Sequence, residues 1–190
     1  MKMLDIKIRC ATDEDIPQVK ALLERYHAKN LTDESKINGF VTTDMTIAEL
    51  QALSHTEQGV TIAVDASNGV IAGMLIGASW DFLKPWKMFD YMQGILGDYL
   101  FDGERLNKQT SYQYGPICIA EEYRSKGVGE KLLEYQRRLF GKRFPLVVTF
   151  VNKVNPRSYA FHMRAGFADV GEFQFNGNNY HMLVIPTLHD

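Results

Sequence analysis

Apolar and polar positions change their spacing several times along this chain, and each change marks an element. Ile6 to Arg9 alternates and predicts a short strand. Thr12, with Asp15 three residues on, has the form of a helix N-cap followed by an acidic first turn. Ile16, Val19, Leu22, Leu23 and Tyr26 then fall on one helical face. A polar stretch from Asn30 to Asp44 precedes a second helix expected around Ile47 to Leu53. Val60 to Asp65 and Val70 to Ile76 are strand-like. Asn68-Gly69 between them tolerates positive φ and predicts a hairpin. Tyr112 to Ile119 is a strand broken at Gly115-Pro116, and Val128, Leu132, Tyr135, Gln136 and Leu139 mark the mostly apolar side of a helix. Leu146 to Val151 is a continuous apolar, β-branched run of the kind found in a strand buried on both faces. Asn155-Pro156 opens a further helix that stops near Gly166, and Glu172 to Ile185 predicts a hairpin around Asn176-Gly177. The order is β-α-α-β-β-α-β-α-β-α-β-β. It predicts one mixed α/β domain over residues 1–190, without repeats, low-complexity tracts or linkers.

The stretch from Trp80 to Phe101 stands apart. Trp80, Phe82, Trp86, Phe89, Tyr91, Tyr99 and Phe101 crowd it, while Lys84, Pro85, Lys87 and Asp90 interrupt it. A broken helix and a loop are expected. Its rings can serve as core cover, as a substrate lid, or as the surface of a homodimer, since clustered aromatics suit all three.

Composition narrows the partners. The chain has 190 residues, enough to bury a sizeable core, and an ordinary apolar share of 45%. Its formal charge of −2 supplies no basic field, so nucleic acid and anionic membrane surfaces are not expected partners. Met1 to Ile8 alternates charged and apolar residues and lacks the continuous apolar core of a signal peptide. No run is long and apolar enough to span a bilayer, so the cytoplasm is the expected compartment. Cys10 and Cys118 are too few for a disulfide framework or a cysteine-rich metal site, and each is expected as a buried thiol in a strand.

The chemistry concentrates after the broken strand. From Arg124 to Gly129 the chain reads Arg-Ser-Lys-Gly-Val-Gly and runs into a helix. A helix N-terminus offers free N–H groups and the positive end of the dipole, which suits an anion. Gly127 and Gly129 let phosphate oxygens approach the backbone, and Arg124 and Lys126 bring positive charge. The loop lacks the Gly-Lys-Ser/Thr ending of a Walker loop and the third glycine of a dinucleotide fingerprint. Pro116 has no N–H, so Gly115-Pro116 suggests a bulge that frees backbone groups at Ile117 and Ile119.

These residues resemble the GNAT superfamily of N-acetyltransferases. The family's Arg/Gln-x-x-Gly-x-Gly/Ala loop matches Arg124, Gly127 and Gly129. Its second motif, Asn-x-x-Ala/Ser-x-x-Phe-Tyr-x-x-x-Gly-Phe, is similar to Asn155, Ser158, Phe161, His162, Gly166 and Phe167. The layout resembles the family over roughly the whole chain, while the motifs lie within residues 115–167. The resemblance implies a central mixed sheet of about seven strands flanked by helices. It implies an acyl-CoA pyrophosphate held by backbone amides of Arg124, Ser125, Lys126, Gly127, Val128 and Gly129. It also implies a pantetheine arm along Ile117, Cys118 and Ile119, and cofactor contacts from Asn155, Ser158 and Phe161. The implied reaction is direct attack of an amine on acetyl-CoA in a ternary complex, without a metal. Small-molecule and peptide amines both occur among the family's acceptors, and the acceptor pocket is expected within Lys29 to Leu53 and Trp80 to Thr110.

One position departs from the family. His162 stands where the motif carries the tyrosine that protonates the leaving thiolate. An imidazole can do this near neutral pH, since its ordinary pKa is about 6.5. Tyr159, on part of the same helical face, is the other candidate acid. Glu57, Asp90, Glu122 and Glu172 are candidate bases only because they are acidic. The departure leaves a second reading open, an acyl-CoA-binding regulatory module with impaired catalysis. A protein-interaction domain using the aromatic stretch is a third.

Overall fold

The computed structural model describes residues 4–189. Met1 to Met3, the start of the stretch read for a signal peptide, lie outside the described residues. No helix among the described residues is long and apolar enough to cross a membrane. The chain divides into two compact units, and the longest central strand contributes to both.

The first unit holds β1 (Ile6–Cys10), α1 (Ile16–Arg25), α3 (Ile47–Glu57), β2 (Val60–Asp65) and most of β3 (Ile71–Ala78). A short α2 (Asp33–Lys36) interrupts the polar stretch between α1 and α3. The first helix starts later than its sequence suggests. Thr12 is not the cap. Its N–H and hydroxyl both donate to Asp15 Oδ2, at 2.8 and 2.9 Å, so residues 12–15 form a turn and Asp15 caps the helix. Arg9 donates to the same carboxylate at 2.6 Å, which holds Asp15 down to about 2. A reciprocal capping box starts α3. Thr46 Oγ1 accepts from the Glu49 N–H, and Glu49 accepts from the Thr46 N–H at 2.8 Å. The hairpin between β2 and β3 turns at Asn68-Gly69 as expected, with Gly69 at φ +75°. Ile16, Leu23, Leu50, Leu53, Ile62, Met74 and Ile76 form the buried interior. Cys10 is a correction, because it is only half-buried, with Sγ 3.8 Å from the Tyr135 hydroxyl.

The second unit contains the aromatic stretch and the C-terminal strands. The broken helix is α4 (Trp80–Leu83) and α5 (Lys87–Ile95), followed by a small hairpin of β4 (Leu100–Phe101) and β5 (Glu104–Arg105). Trp80, Leu83, Phe89 and Met92 are buried, and Trp80 Nε1 donates to Ser111 Oγ at 3.0 Å. This part of the stretch is core cover. Tyr91, on the other side of α5, is exposed. Beyond lie β6 (Ser111–Ile119), β7 (Leu146–Asn152), α7 (Pro156–Arg164), β8 (Ala168–Phe175) and β9 (Asn178–Pro186). The C-terminal hairpin turns near Asn176-Gly177, but β8 begins at Ala168, ahead of the expected Glu172. A bulge between Asp169 and Gly171 adds a residue opposite β9 there.

Seven strands hydrogen-bond in the order β1-β2-β3-β6-β7-β9-β8, the mixed sheet expected from the sequence. β7 pairs antiparallel with β9 along its full length, and parallel with β6 at Ser111 to Gln113. Val147, Val148, Thr149 and Val151 are buried, in keeping with a strand covered on both faces.

Candidate active site

In the first unit the candidate site is the end of β6 and the loop that leads to α6 (Val128–Gly141). Gly115-Pro116 is a cis peptide, and Gly115 sits at φ +109°. The last residues of β6 then diverge in environment. Cys118 is buried, and burial pushes its thiol up to about 12, which makes it an inert packing group. Ile117 and Ile119 are half-exposed. The Ile119 carbonyl accepts from Arg124 Nε at 3.1 Å. The guanidinium of Arg124 lies over the Tyr26 ring at 4.7 Å, and the Tyr26 hydroxyl accepts from the Glu121 N–H at 2.8 Å. Arg124 therefore braces the start of the loop with its side chain.

The loop itself has an unusual backbone. Ser125 and Gly127 both sit in the left-handed region, at φ +58° and +75°. Backbone that switches hand between neighbours turns successive N–H groups toward one concave side, which suits an oxyanion. At Gly127 an added Cβ would meet nothing within 4 Å, so the space over the loop is open. Lys126 reaches back to the Glu122 carbonyl at 2.7 Å. The loop's anion-binding capacity thus rests on backbone amides and on the N-terminus of α6. In that helix Val128, Leu132, Leu133, Gln136 and Phe140 are buried, which anchors the loop at its far end.

In the second unit the candidate residues lie on α7. Asn155 caps the helix, accepting from the Ser158 N–H at 3.3 Å. Ser158 and Phe161 are half-exposed. His162 is buried at 3% exposure, with its ring edge-to-face on Tyr114, Phe161 and Phe167. Its Nδ1 lies 2.7 Å from the Ser158 carbonyl, a contact that requires a proton on Nδ1. The neutral ring then carries its lone pair on Nε2, which has no hydrogen-bond partner among the described residues. Burial lowers its pKa to about 4, so at neutral pH the ring is uncharged and an acceptor. That charge state does not suit the general-acid role expected of it.

This burial has a measurable consequence. The unfolded chain carries an ordinary histidine with a pKa near 6.5, whereas the folded one titrates near 4. Between those values the unfolded state binds a proton that the folded state refuses. Stability therefore falls as the pH drops through the window, by about 3 kcal/mol in total. His162→Phe keeps the ring contacts and removes this contribution. Urea unfolding at pH 7 and at about pH 4 should show a smaller acid loss in the variant, and an equal loss in both would contradict this account.

Of the candidate bases, Asp90 and Glu122 are exposed, and Glu122 lies 3.4 Å from Arg25. Glu57 is half-buried at the end of α3. Glu172 pairs with Lys153. A different cluster, with no signal in the sequence, forms where α7 meets the last hairpin. Asp169 Oδ2 accepts from the Tyr159 hydroxyl at 3.0 Å and pairs with His181 Nδ1 at 2.9 Å. The Tyr159 and His181 rings lie with centroids 4.3 Å apart, tilted by 34°. The hydrogen bond to Asp169 raises the Tyr159 phenol above its ordinary range. Among the described residues there is no group of three or more His, Cys, Asp or Glu that could hold a metal.

The chain matches the model of the acetyltransferase (GNAT) family over residues 25–167. It belongs to the GNAT acetyltransferase family. No curated protein matches it in sequence. Its fold is shared with solved structures at low identity. An N-acetyltransferase from Staphylococcus aureus Mu50 is 18% identical, with 97% of this chain and 99% of that one covered at a TM-score of 0.62. The Salmonella typhimurium protein yncA, solved with its cofactor acetyl-CoA, is 14% identical, with 96% and 94% covered and a TM-score of 0.64. The NatC complex, bound to Gag peptide and CoA, matches at 14% identity over 96% of this chain and 99% of that chain, with a TM-score of 0.63. The mixed seven-stranded sheet is therefore the GNAT fold, and acyl transfer is the activity class of this GNAT-family protein.

Proposed function

We propose that this GNAT-family protein transfers the acetyl group of acetyl-CoA to a primary amine of a small molecule or peptide, by direct attack in a ternary complex. The observation that carries the reading is the loop at Ser125 and Gly127, left-handed at both residues and open above Gly127, at the N-terminus of α6. Backbone amides from Arg124 to Gly129 hold the pyrophosphate, and backbone groups of Ile117, Cys118 and Ile119 hold the pantetheine arm. Asn155, Ser158 and Phe161 contribute further cofactor contacts, as the family resemblance implies. The solved relatives with acetyl-CoA or CoA bound support this choice of acyl donor.

The amine nitrogen attacks the thioester carbonyl carbon. N–H groups near Ile117 to Ile119 stabilise the oxyanion, and the C–S bond then breaks. The thiolate needs a proton. Tyr159 keeps a dissociable hydroxyl, whereas His162 is an acceptor at neutral pH. The cytoplasm is the proposed compartment, and neither a metal nor a nucleic acid is required.

The neutral, buried His162 also favours a second reading, an acyl-CoA-binding module with impaired catalysis. Acetyl-CoA is incubated with the protein with and without a panel of primary amines, and free thiol is followed. Direct attack predicts thiol release only when an amine is present. A burst of thiol without amine would replace the ternary mechanism by an acyl-enzyme. Tight acetyl-CoA binding with no turnover on any amine would favour the module.

A further inference from the structure

A hydrogen-bonded bridge ties the loop at Arg124 to Gly129 to the β2–β3 hairpin. Asp65 is the last residue of β2 and is buried. Its main chain closes the hairpin. The Asp65 N–H donates to the Val70 carbonyl at 2.9 Å, and its carbonyl accepts from the Gly69 N–H at 2.8 Å. Its carboxylate has two tasks. Oδ1 accepts from the Ser67 N–H at 2.9 Å and from the Ser67 hydroxyl at 2.7 Å, which fixes the side chain within the turn. Oδ2 accepts from the Tyr123 hydroxyl at 2.9 Å, 58 residues away in sequence. Asn68, in the same turn, donates Nδ2 to that hydroxyl at 3.3 Å. The hairpin closes through its main chain and Oδ1, so the bond from Tyr123 serves the segment that carries the tyrosine.

That segment leads straight into the loop. Tyr123 ends a short 3-10 turn, Glu121–Tyr123, and Arg124 follows it. Lys126 lies over the Tyr123 ring, with Nζ 5.7 Å from the centroid, while Nζ donates to the Glu122 carbonyl. The front of the turn is held by Tyr26, whose hydroxyl takes the Glu121 N–H. A phenol thus holds each end of the turn. Past the loop, buried Val128 and Leu132 fix the start of α6. Arg124 to Gly127 therefore run between two anchored points, all within one compact unit. Left-handed backbone at Ser125 is unfavourable in a free segment. With both ends anchored, the cost of ordering the loop falls on folding rather than on binding, which raises affinity for the anion it receives.

We propose that Tyr123 is a positioning residue for the acyl donor, holding the pyrophosphate loop in its binding conformation through Asp65 and Asn68. The inference rests on the proposed function, in which this loop receives the pyrophosphate. Asp65 acts through Tyr123, and Tyr123 acts through the backbone that follows it. Cutting the bridge therefore weakens CoA binding and leaves the chemistry at the thioester unchanged.

The test uses Tyr123→Phe, Asp65→Asn and the double variant in the full chain, with CoA titrated calorimetrically well below the melting temperature. Tyr123→Phe keeps the ring beneath Lys126 and removes only the hydroxyl. Its Kd for CoA should rise about tenfold, the lower end of what a hydrogen bond to a charged group contributes. In Asp65→Asn, with Oδ1 still held by Ser67, the amide N–H group replaces Oδ2 and cannot accept from Tyr123. A similar rise is expected. The double variant should bind CoA no more weakly than the weaker of the two single variants, because both cut the same bond. With any amine that the wild type acetylates, Tyr123→Phe should raise KM for acetyl-CoA by the same factor at unchanged kcat. A merely structural hydroxyl would lower Tm and leave Kd and KM as they are. That result, or fully additive losses in the double variant, overturns the inference and leaves acyl transfer standing. A wild-type protein that does not bind CoA overturns both. If Asp65→Asn does not fold, the Kd of Tyr123→Phe decides alone.

Discussion

We expect Gly129→Glu to abolish the thermal stabilisation that CoA gives the wild-type protein. Ligand at 100 times its Kd stabilises a folded state by about 2.7 kcal/mol. For a chain of this length that is a rise in Tm of about 5–10 °C. The rise should vanish in the variant, because a carboxylate in the first turn of α6 takes the electrostatic position proposed for phosphate. Gly129 is buried, so the glutamate also strains the helix start. Ser125→Asp separates the two effects. Ser125 is exposed and at φ +58°, a conformation that aspartate tolerates better than most residues. It adds the same charge without filling buried space, and about a tenfold weaker Kd for CoA is expected. Full CoA stabilisation in both variants would show that the pyrophosphate lies elsewhere.

The largest expected loss of stability is at Gly59→Ala. Gly59 joins α3 to β2, and its carbonyl accepts from the Gly77 N–H at 2.9 Å. An added Cβ would lie 2.1 Å from the Gly77 carbonyl oxygen and 2.6 Å from Leu53 Cδ1. The first contact is with backbone in β3, which cannot swing aside as a side-chain tip can. Relief requires α3 or the β2–β3 ladder to shift, at about 3 kcal/mol or more. That corresponds to a fall in Tm of at least about 6–12 °C. Gly94→Ala is the control. It lies in α5 with nothing within 4 Å of an added Cβ, so alanine should stabilise it by up to about 1 kcal/mol. Thermal melts of the two variants measure the contrast, and a Gly59→Ala protein that melts with the wild type would contradict the close approach.

Much of the candidate site's local structure was legible because its signals are local. A glycine loop before a helix, a proline inside a strand and an Asn-Pro helix start are each written in a few adjacent residues, and each falls at the expected element. The misreadings have longer-range causes. Thr12 resembles a cap, but Arg9 draws Asp15 into a turn and moves the helix start to Ile16. The start of β8 was missed because Gly171 breaks the alternation, and the bulge there is visible only against β9. His162 looked like a spare acid because its number says nothing of the aromatic rings that neutralise it. His181 and Asp169 carried no signal at all. They lie twelve residues apart and meet only through the hairpin and the bulge.

In the proposed reaction the acyl donor is held by backbone groups at Ser125, Gly127 and the start of α6. The central claim, transfer of an acetyl group to nitrogen, is tested most directly by mass spectrometry of primary amines incubated with acetyl-CoA and the protein. The account predicts an amine that gains one acetyl group on nitrogen, with free thiol formed in equal amount. Unmodified amines throughout, from a protein that shows no stabilisation by CoA, would contradict it.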